Sequence, residues 1–131
     1  EKNFGKMKIV FDTYAWIEYF MGSEKGKIVN QYIKEEIITP FIVLLELSYR
    51  ANKEGWDIKK YLNFIKFHSK ISIFNENFIV EFGKTYNKVK KEIHDFSIAD
   101  CIILTTARLE NAKILTGDIH FKNFSETIFL D

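Results

Sequence analysis

The apolar run Ile9-Val10-Phe11 stops at a carboxylate, Asp12, and a second run, Ile114-Leu115-Thr116-Gly117, stops at another, Asp118. Short apolar runs of this kind read as strands buried on both faces, the form a parallel sheet uses. Between them the pattern changes to helical periodicity, so strands and helices alternate along the chain. That alternation favours a mostly parallel sheet covered by helices on both sides, an α/β class with three αβα layers. In an open sheet of this type the loops at the carboxyl ends of the strands form the ligand crevice. Both acids therefore stand where a site would be.

The spacing predicts strands at about 8–11, 37–39, 71–74, 113–115 and 127–130. It predicts helices at about 14–22, 24–35, 41–53, 56–68, 76–91 and 97–109. Ser23 and Ser97 suit helix N-caps, and Pro40 stops a strand where a helix can begin. With 131 residues the chain has room for one core, expected to be a single domain over 7–131. Residues 1–6, ahead of Met7, read as a leader or cloning remnant. No linker or internal repeat interrupts the rest.

The formal charge of +1 is not the footprint of a strongly basic DNA-binding domain. Cys101 is the only cysteine, so no internal disulfide can form, and a reduced, cytoplasmic setting is expected. No apolar run approaches the roughly 18 residues of a membrane span. The 13 Phe imply either a dense core or an apolar surface covered by a partner.

Two further acids interrupt apolar helical stretches. Glu46 lies in Phe41-Ile42-Val43-Leu44-Leu45-Glu46-Leu47, where an unpaired buried carboxylate would cost several kcal/mol. A cation or a solvated cleft must compensate it, or an ion pair with Arg50 four residues on. Asp100 follows Ser97 by three, which alone would make an acidic capping box. Asp12 alone could be an N-cap, and Asp118 a turn residue. The case for a site rests on all four together. Four converging carboxylates repel one another unless a cation sits between them. Ligands that are all carboxylate suit Mg²⁺ or Mn²⁺ rather than Zn²⁺. His68, His94 and His120 lack metal-ligand spacing; His120, two residues past Asp118, could approach substrate, but reads more readily as a surface loop histidine. Cys101 reads as packed inside its helix.

The ordered segments Val10-Phe11-Asp12-Thr13-Tyr14-Ala15-Trp16-Ile17, Thr39-Pro40 with Leu44-Leu45-Glu46-Leu47, Ser97-Ile98-Ala99-Asp100, and Leu115-Thr116-Gly117-Asp118 with Phe121 resemble a PIN-domain protein. The resemblance is closest to the VapC-type ribonuclease toxins of toxin–antitoxin pairs, and it spans nearly the whole chain from Met7. It implies a three-layer αβα fold. It maps Asp12, Glu46, Asp100 and Asp118 onto the family's four acidic positions, with Thr13 and Thr116 in secondary roles near them. It further implies a Mg²⁺ or Mn²⁺ cofactor, RNA as substrate, cleavage leaving 5′-phosphate and 3′-hydroxyl ends, a cognate antitoxin as partner, and a homodimer.

Lys84, Lys88 and Lys91 form one stripe of a long helix that could track RNA phosphates, although such a stripe is more commonly just solvated. Tyr14, Trp16 and Tyr19 could stack bases, or belong to the core or a dimer contact. Three other functions stay open at this stage. They are a non-catalytic PIN-fold module that binds RNA or protein, a housekeeping RNA-processing nuclease, and a phosphotransferase with Asp12 as nucleophile.

Overall fold

A computed structural model describes residues 5–131; the part of the leader expectation that falls on residues 1–4 lies outside the described residues. Five strands form one sheet: β1 (Lys8–Phe11), β2 (Glu36–Pro40), β3 (Ser69–Ser72), β4 (Lys113–Thr116) and β5 (Thr127–Phe129). Their order across the sheet is β3-β2-β1-β4-β5, and every pairing is parallel. The six α-helices among the described residues are α1 (Thr13–Met21), α2 (Glu24–Asn30), α3 (Phe41–Glu54), α4 (Ile58–His68), α5 (Glu76–Lys90) and α6 (Ile98–Glu110). The expected three-layer αβα architecture is present. None of these helices is long and apolar enough to cross a membrane.

The centre of the sheet explains the apolar runs. Ile9, Val10 and Phe11 of β1, Ile38 of β2, and Ile114 and Leu115 of β4 are fully buried. Each is covered from both sides, so alternation disappears and continuous hydrophobicity replaces it. Helix α6 packs on α5 and against β1, β2 and β4, which is why seven consecutive residues, Cys101 to Ala107, are buried. Cys101 is inside this helix as expected, its Sγ beside Thr105 Oγ1.

Helix α1 packs on α2 and α3. Its contact with α2 is close enough that a Cβ on Gly26 would lie 2.0 Å from the Glu18 carbonyl oxygen. Trp16 anchors α1, stacking on Phe20 and donating from Nε1 to Thr39 Oγ1 of β2 at 3.1 Å. Tyr19 and Phe64 join the same cluster. Trp16 therefore belongs to the core and is not available to stack a base.

Most boundaries agree within a residue, α4 begins at Ile58 instead of 56, and two further differences have a clear cause. Helix α2 stops at Asn30, and the chain to Glu35 continues in tighter i→i+3 turns, such as Tyr32 N–H to Val29 O. Strand β3 begins at Ser69, directly after α4, instead of at Ile71. Ser69 Oγ donates to Ile65 O at the end of α4 and also meets Thr39 Oγ1, which fixes the register Thr39↔Ile71. Ile73 and Phe74 are consequently beyond the strand and exposed.

Candidate active site

The chain moves from β1 outward to β3, then returns through α6 to place β4 on the other side of β1. The strand order thus reverses between β1 and β4, and ligand crevices form at such a switch point. The register Phe11↔Leu115 sets Asp12, the residue after β1, beside Thr116, the last residue of β4.

Asp12 is 4% exposed and fully engaged. As N-cap of α1 it accepts from the Ala15 N–H through Oδ1 at 2.9 Å, while Oδ2 accepts from Thr116 Oγ1 at 2.5 Å. Thr116 Oγ1 in turn accepts from the Asp118 N–H at 2.9 Å. Asp118 caps a short 3-10 turn, Ile119–Phe121, by accepting from the His120 N–H at 2.9 Å. The N-cap reading of Asp12 and the turn reading of Asp118 thus both hold, and they coexist with convergence on the crevice.

Glu46, half-buried on α3, accepts from Thr13 Oγ1 at 2.5 Å. Its expected alternative partner is engaged elsewhere: Arg50 bonds Glu54 at 2.6 Å and lies over the Trp56 ring. Asp100 completes the capping box with Ser97, accepting from its N–H at 3.1 Å. All four acids line one crevice of about 790 Å³, walled by Ile17, Leu45, Tyr49 and Phe121. Thr13 lies on the same surface, and Thr116 stands behind Asp12 as its hydrogen-bond donor.

Burial pushes the Asp12 carboxyl up to about 7, opposed by the hydrogen bonds from Thr116 and the Ala15 N–H and reinforced by the negative charges of Asp118 and Glu46. A carboxyl in that position holds a proton or is neutralised by a cation. The donor set is carboxylate oxygen with hydroxyls behind it, which matches the preference of Mg²⁺ or Mn²⁺. The residues present fit such an ion.

His120 corrects the sequence reading. Its ring is not a free surface group: Nδ1 lies 3.0 Å from Asp100 Oδ2 and 3.6 Å from Asp118 Oδ1, while Nε2 lies 3.0 Å from Asp95 Oδ2. The Asp95 hydrogen bond raises the imidazole above its usual range against the opposing effect of desolvation, and the charges of Asp118 and Asp100 add to it. The sequence signal was the spacing of two between Asp118 and His120. Nothing in the sequence signals Asp95, which is brought in by the loop between α5 and α6.

The lysines of the stripe are at the surface: Lys84 pairs with Glu81, and Lys88 and Lys91 are exposed. Tyr14 sits at the crevice, its hydroxyl accepting from Lys25 Nζ at 2.9 Å.

Among solved structures, the fold matches a toxin–antitoxin complex from Klebsiella pneumoniae with a TM-score of 0.73 at 18% identity, covering 94% of this chain and 98% of that one. It matches VapBC2 from Rickettsia felis bound to a DNA fragment from their promoter with a TM-score of 0.73 at 21% identity, covering 94% and 97%. It matches VapBC-1 from nontypeable Haemophilus influenzae with a TM-score of 0.67 at 22% identity, covering 95% and 98%. No curated protein sequence matches the chain. At these identities the neighbours establish the fold alone. The PIN domain family model matches residues 9–126, a span that begins in β1 and contains all four crevice acids. On that match, over nearly the whole sheet and both acid-bearing strand ends, the chain belongs to the PIN domain family.

Proposed function

We propose that the chain is a metal-dependent endoribonuclease that hydrolyses RNA phosphodiester bonds, and that it is the toxin of a toxin–antitoxin pair. The observation that carries the reading is the convergence of Asp12, Glu46, Asp100 and Asp118 on one crevice at the sheet's switch point in a PIN domain. A Mg²⁺ or Mn²⁺ ion bound there would lower the pKa of a water and neutralise charge on the phosphate and the leaving oxygen.

The chain's own residues supply the positioning. Thr116 fixes Asp12 Oδ2, Thr13 fixes Glu46, and the backbone of the Ile119–Phe121 turn fixes Asp118. Ser97 fixes Asp100 by a backbone bond, so each acid is held before a ligand arrives. This preorganisation supports catalysis over the reading as a non-catalytic module, because an inert module gains nothing from four oriented, mutually repelling carboxylates.

The crevice also supports an antitoxin as partner. Exposed Leu45 and Tyr49 form apolar walls above an acidic floor, which suits an amphipathic segment that ends in Arg or Lys. The matched structures are toxin–antitoxin assemblies, which is consistent with this reading. Homodimerisation is part of it, supported by the apolar strip of Phe74, just ahead of α5, Ile79 on α5 and Ile98 on α6. So are a cytoplasmic setting, a single nuclease domain over 7–131, and RNA contacts by Lys84, Lys88 and Lys91.

The test is cleavage of structured and unstructured RNA with Mn²⁺, Mg²⁺ or EDTA, by wild type and by Asp100→Asn. Cleavage that needs the metal, leaves 5′-phosphate ends and is lost in the folded variant is the expected result. Equal cleavage by the variant would refute the assignment.

A further inference from the structure

We propose that His120 is a nitrogen ligand of the metal site, oriented by Asp95, and that it shifts the site's preference from Mg²⁺ toward Mn²⁺. This rests on the reading of the crevice as a metal site and adds to the four acids a residue of different chemistry.

The geometry has two halves. On one side Asp12 and Glu46 are held by the hydroxyls of Thr116 and Thr13. On the other, ligand atoms of Asp100, Asp118 and His120 all lie within 4.8 Å of one another. Adjacent ligands of an octahedral ion, each about 2.1 Å from it, are about 3.0 Å apart. The separations of His120 Nδ1 from Asp100 Oδ2 and Asp118 Oδ1, 3.0 and 3.6 Å, are of that size.

The other ring nitrogen strengthens the assignment. A metal-binding histidine commonly donates its second ring N–H to a carboxylate, which fixes the tautomer. His120 Nε2 meets Asp95 Oδ2 at 3.0 Å, which places that hydrogen on Nε2 and directs Nδ1 to the two acids. Asp95 itself is exposed. A surface carboxylate that serves only for solubility has no need of this contact. An ion bound by Asp100 and Asp118 would take Nδ1 as a further ligand, and any proton on Nδ1 would go to solvent.

Mg²⁺ strongly prefers oxygen, whereas Mn²⁺ accepts imidazole more readily. An imidazole therefore separates two ions that the four carboxylates alone would treat alike.

The experiment uses Mn²⁺ as the probe, with no RNA present. Pulsed EPR of Mn²⁺ bound to the wild-type protein is expected to show ¹⁴N coupling from a directly bound imidazole. His120→Gln keeps an amide for Asp95 but has no Nδ1, so it is expected to lose the coupling. Its Mn²⁺ affinity should fall about tenfold or more while its Mg²⁺ affinity changes much less. Asp95→Asn, which can donate to Nε2 and so favour the wrong tautomer, is expected to weaken Mn²⁺ in the same direction. Bound Mn²⁺ without ¹⁴N coupling in wild type would overturn the inference and leave the nuclease reading standing. Failure of the folded protein to bind either ion would overturn both.

Discussion

Asp12→Asn is expected to abolish metal-dependent RNA cleavage and, at the same time, to stabilise the metal-free protein above pH 7. The loss of cleavage should exceed about a hundredfold, because even partners of metal ligands are worth tenfold to a hundredfold. The gain in stability follows from burial. The folded Asp12 carboxyl is pushed up to about 7, against 3.8 for a free side chain. As pH rises from 4 the unfolded chain gives up this proton first, while the folded chain holds it until about pH 7. Proton release therefore favours the unfolded state, and stability falls across that window, by a few kcal/mol at most, before levelling off.

Asparagine has no proton to lose. Its carbonyl can still accept from the Ala15 N–H and cap α1, and its amide can donate to the second lone pair of Thr116 Oγ1. Urea midpoints measured in EDTA between pH 4 and 8.5 should diverge, with the variant higher at the alkaline end. Added Mg²⁺ should raise wild type and leave the variant unmoved. Parallel pH curves for the two proteins would show that Asp12 is not a carboxyl held against its own ionisation.

Trp16→Ala should be the most destabilising core substitution near the site, costing about 3–5 kcal/mol. That is a large share of the roughly 5–15 kcal/mol by which domains are stable. Trp16 is fully buried, contacts Phe11, Tyr19, Phe20 and Phe64, and bonds Thr39. Its removal leaves a cavity beneath the first turn of α1, the turn that Asp12 caps. Thr39 would keep its bond to Ser69, so the lost packing dominates the cost. Tyr49→Ala, at a side chain 71% exposed, should change stability by less than about 0.5 kcal/mol. A urea midpoint for Trp16→Ala close to that of Tyr49→Ala would contradict the placement of Trp16 as the anchor of α1.

The parts of the molecule that were legible in the sequence are those governed by local pattern. Ile9-Val10-Phe11 and Ile114-Leu115 announce central strands because burial on both faces removes alternation. Ser97 and Asp100 announce a helix start because a capping box depends only on residues three apart. The start of edge strand β3 is not legible because it is set by side-chain bonds of Ser69 to Ile65 and Thr39, which no periodicity records. The end of helix α2 is not legible because its apolar spacing continues through Tyr32 and Ile33 although the backbone has already tightened.

The crevice divides in the same way. Its four acids stand out because a carboxylate among apolar residues, or at a strand end, conflicts with its surroundings. His120 and Asp95 carry no such conflict. They lie 25 residues apart in sequence and meet only because the α5–α6 loop and the turn after β4 fold to the same end of the sheet. The apparent conflict at Glu46 was resolved by Thr13, 33 residues away, and not by Arg50 on the same helix.

On the proposed reading, the acids at the switch point assemble to hold a divalent cation. The most direct test is an anomalous difference map from crystals of the wild-type protein soaked in Mn²⁺. A peak is expected in the crevice within coordination distance of carboxylates from Asp12, Glu46, Asp100 and Asp118, as direct ligands or through water. A map with the crevice well ordered and no peak there at millimolar Mn²⁺ would contradict it.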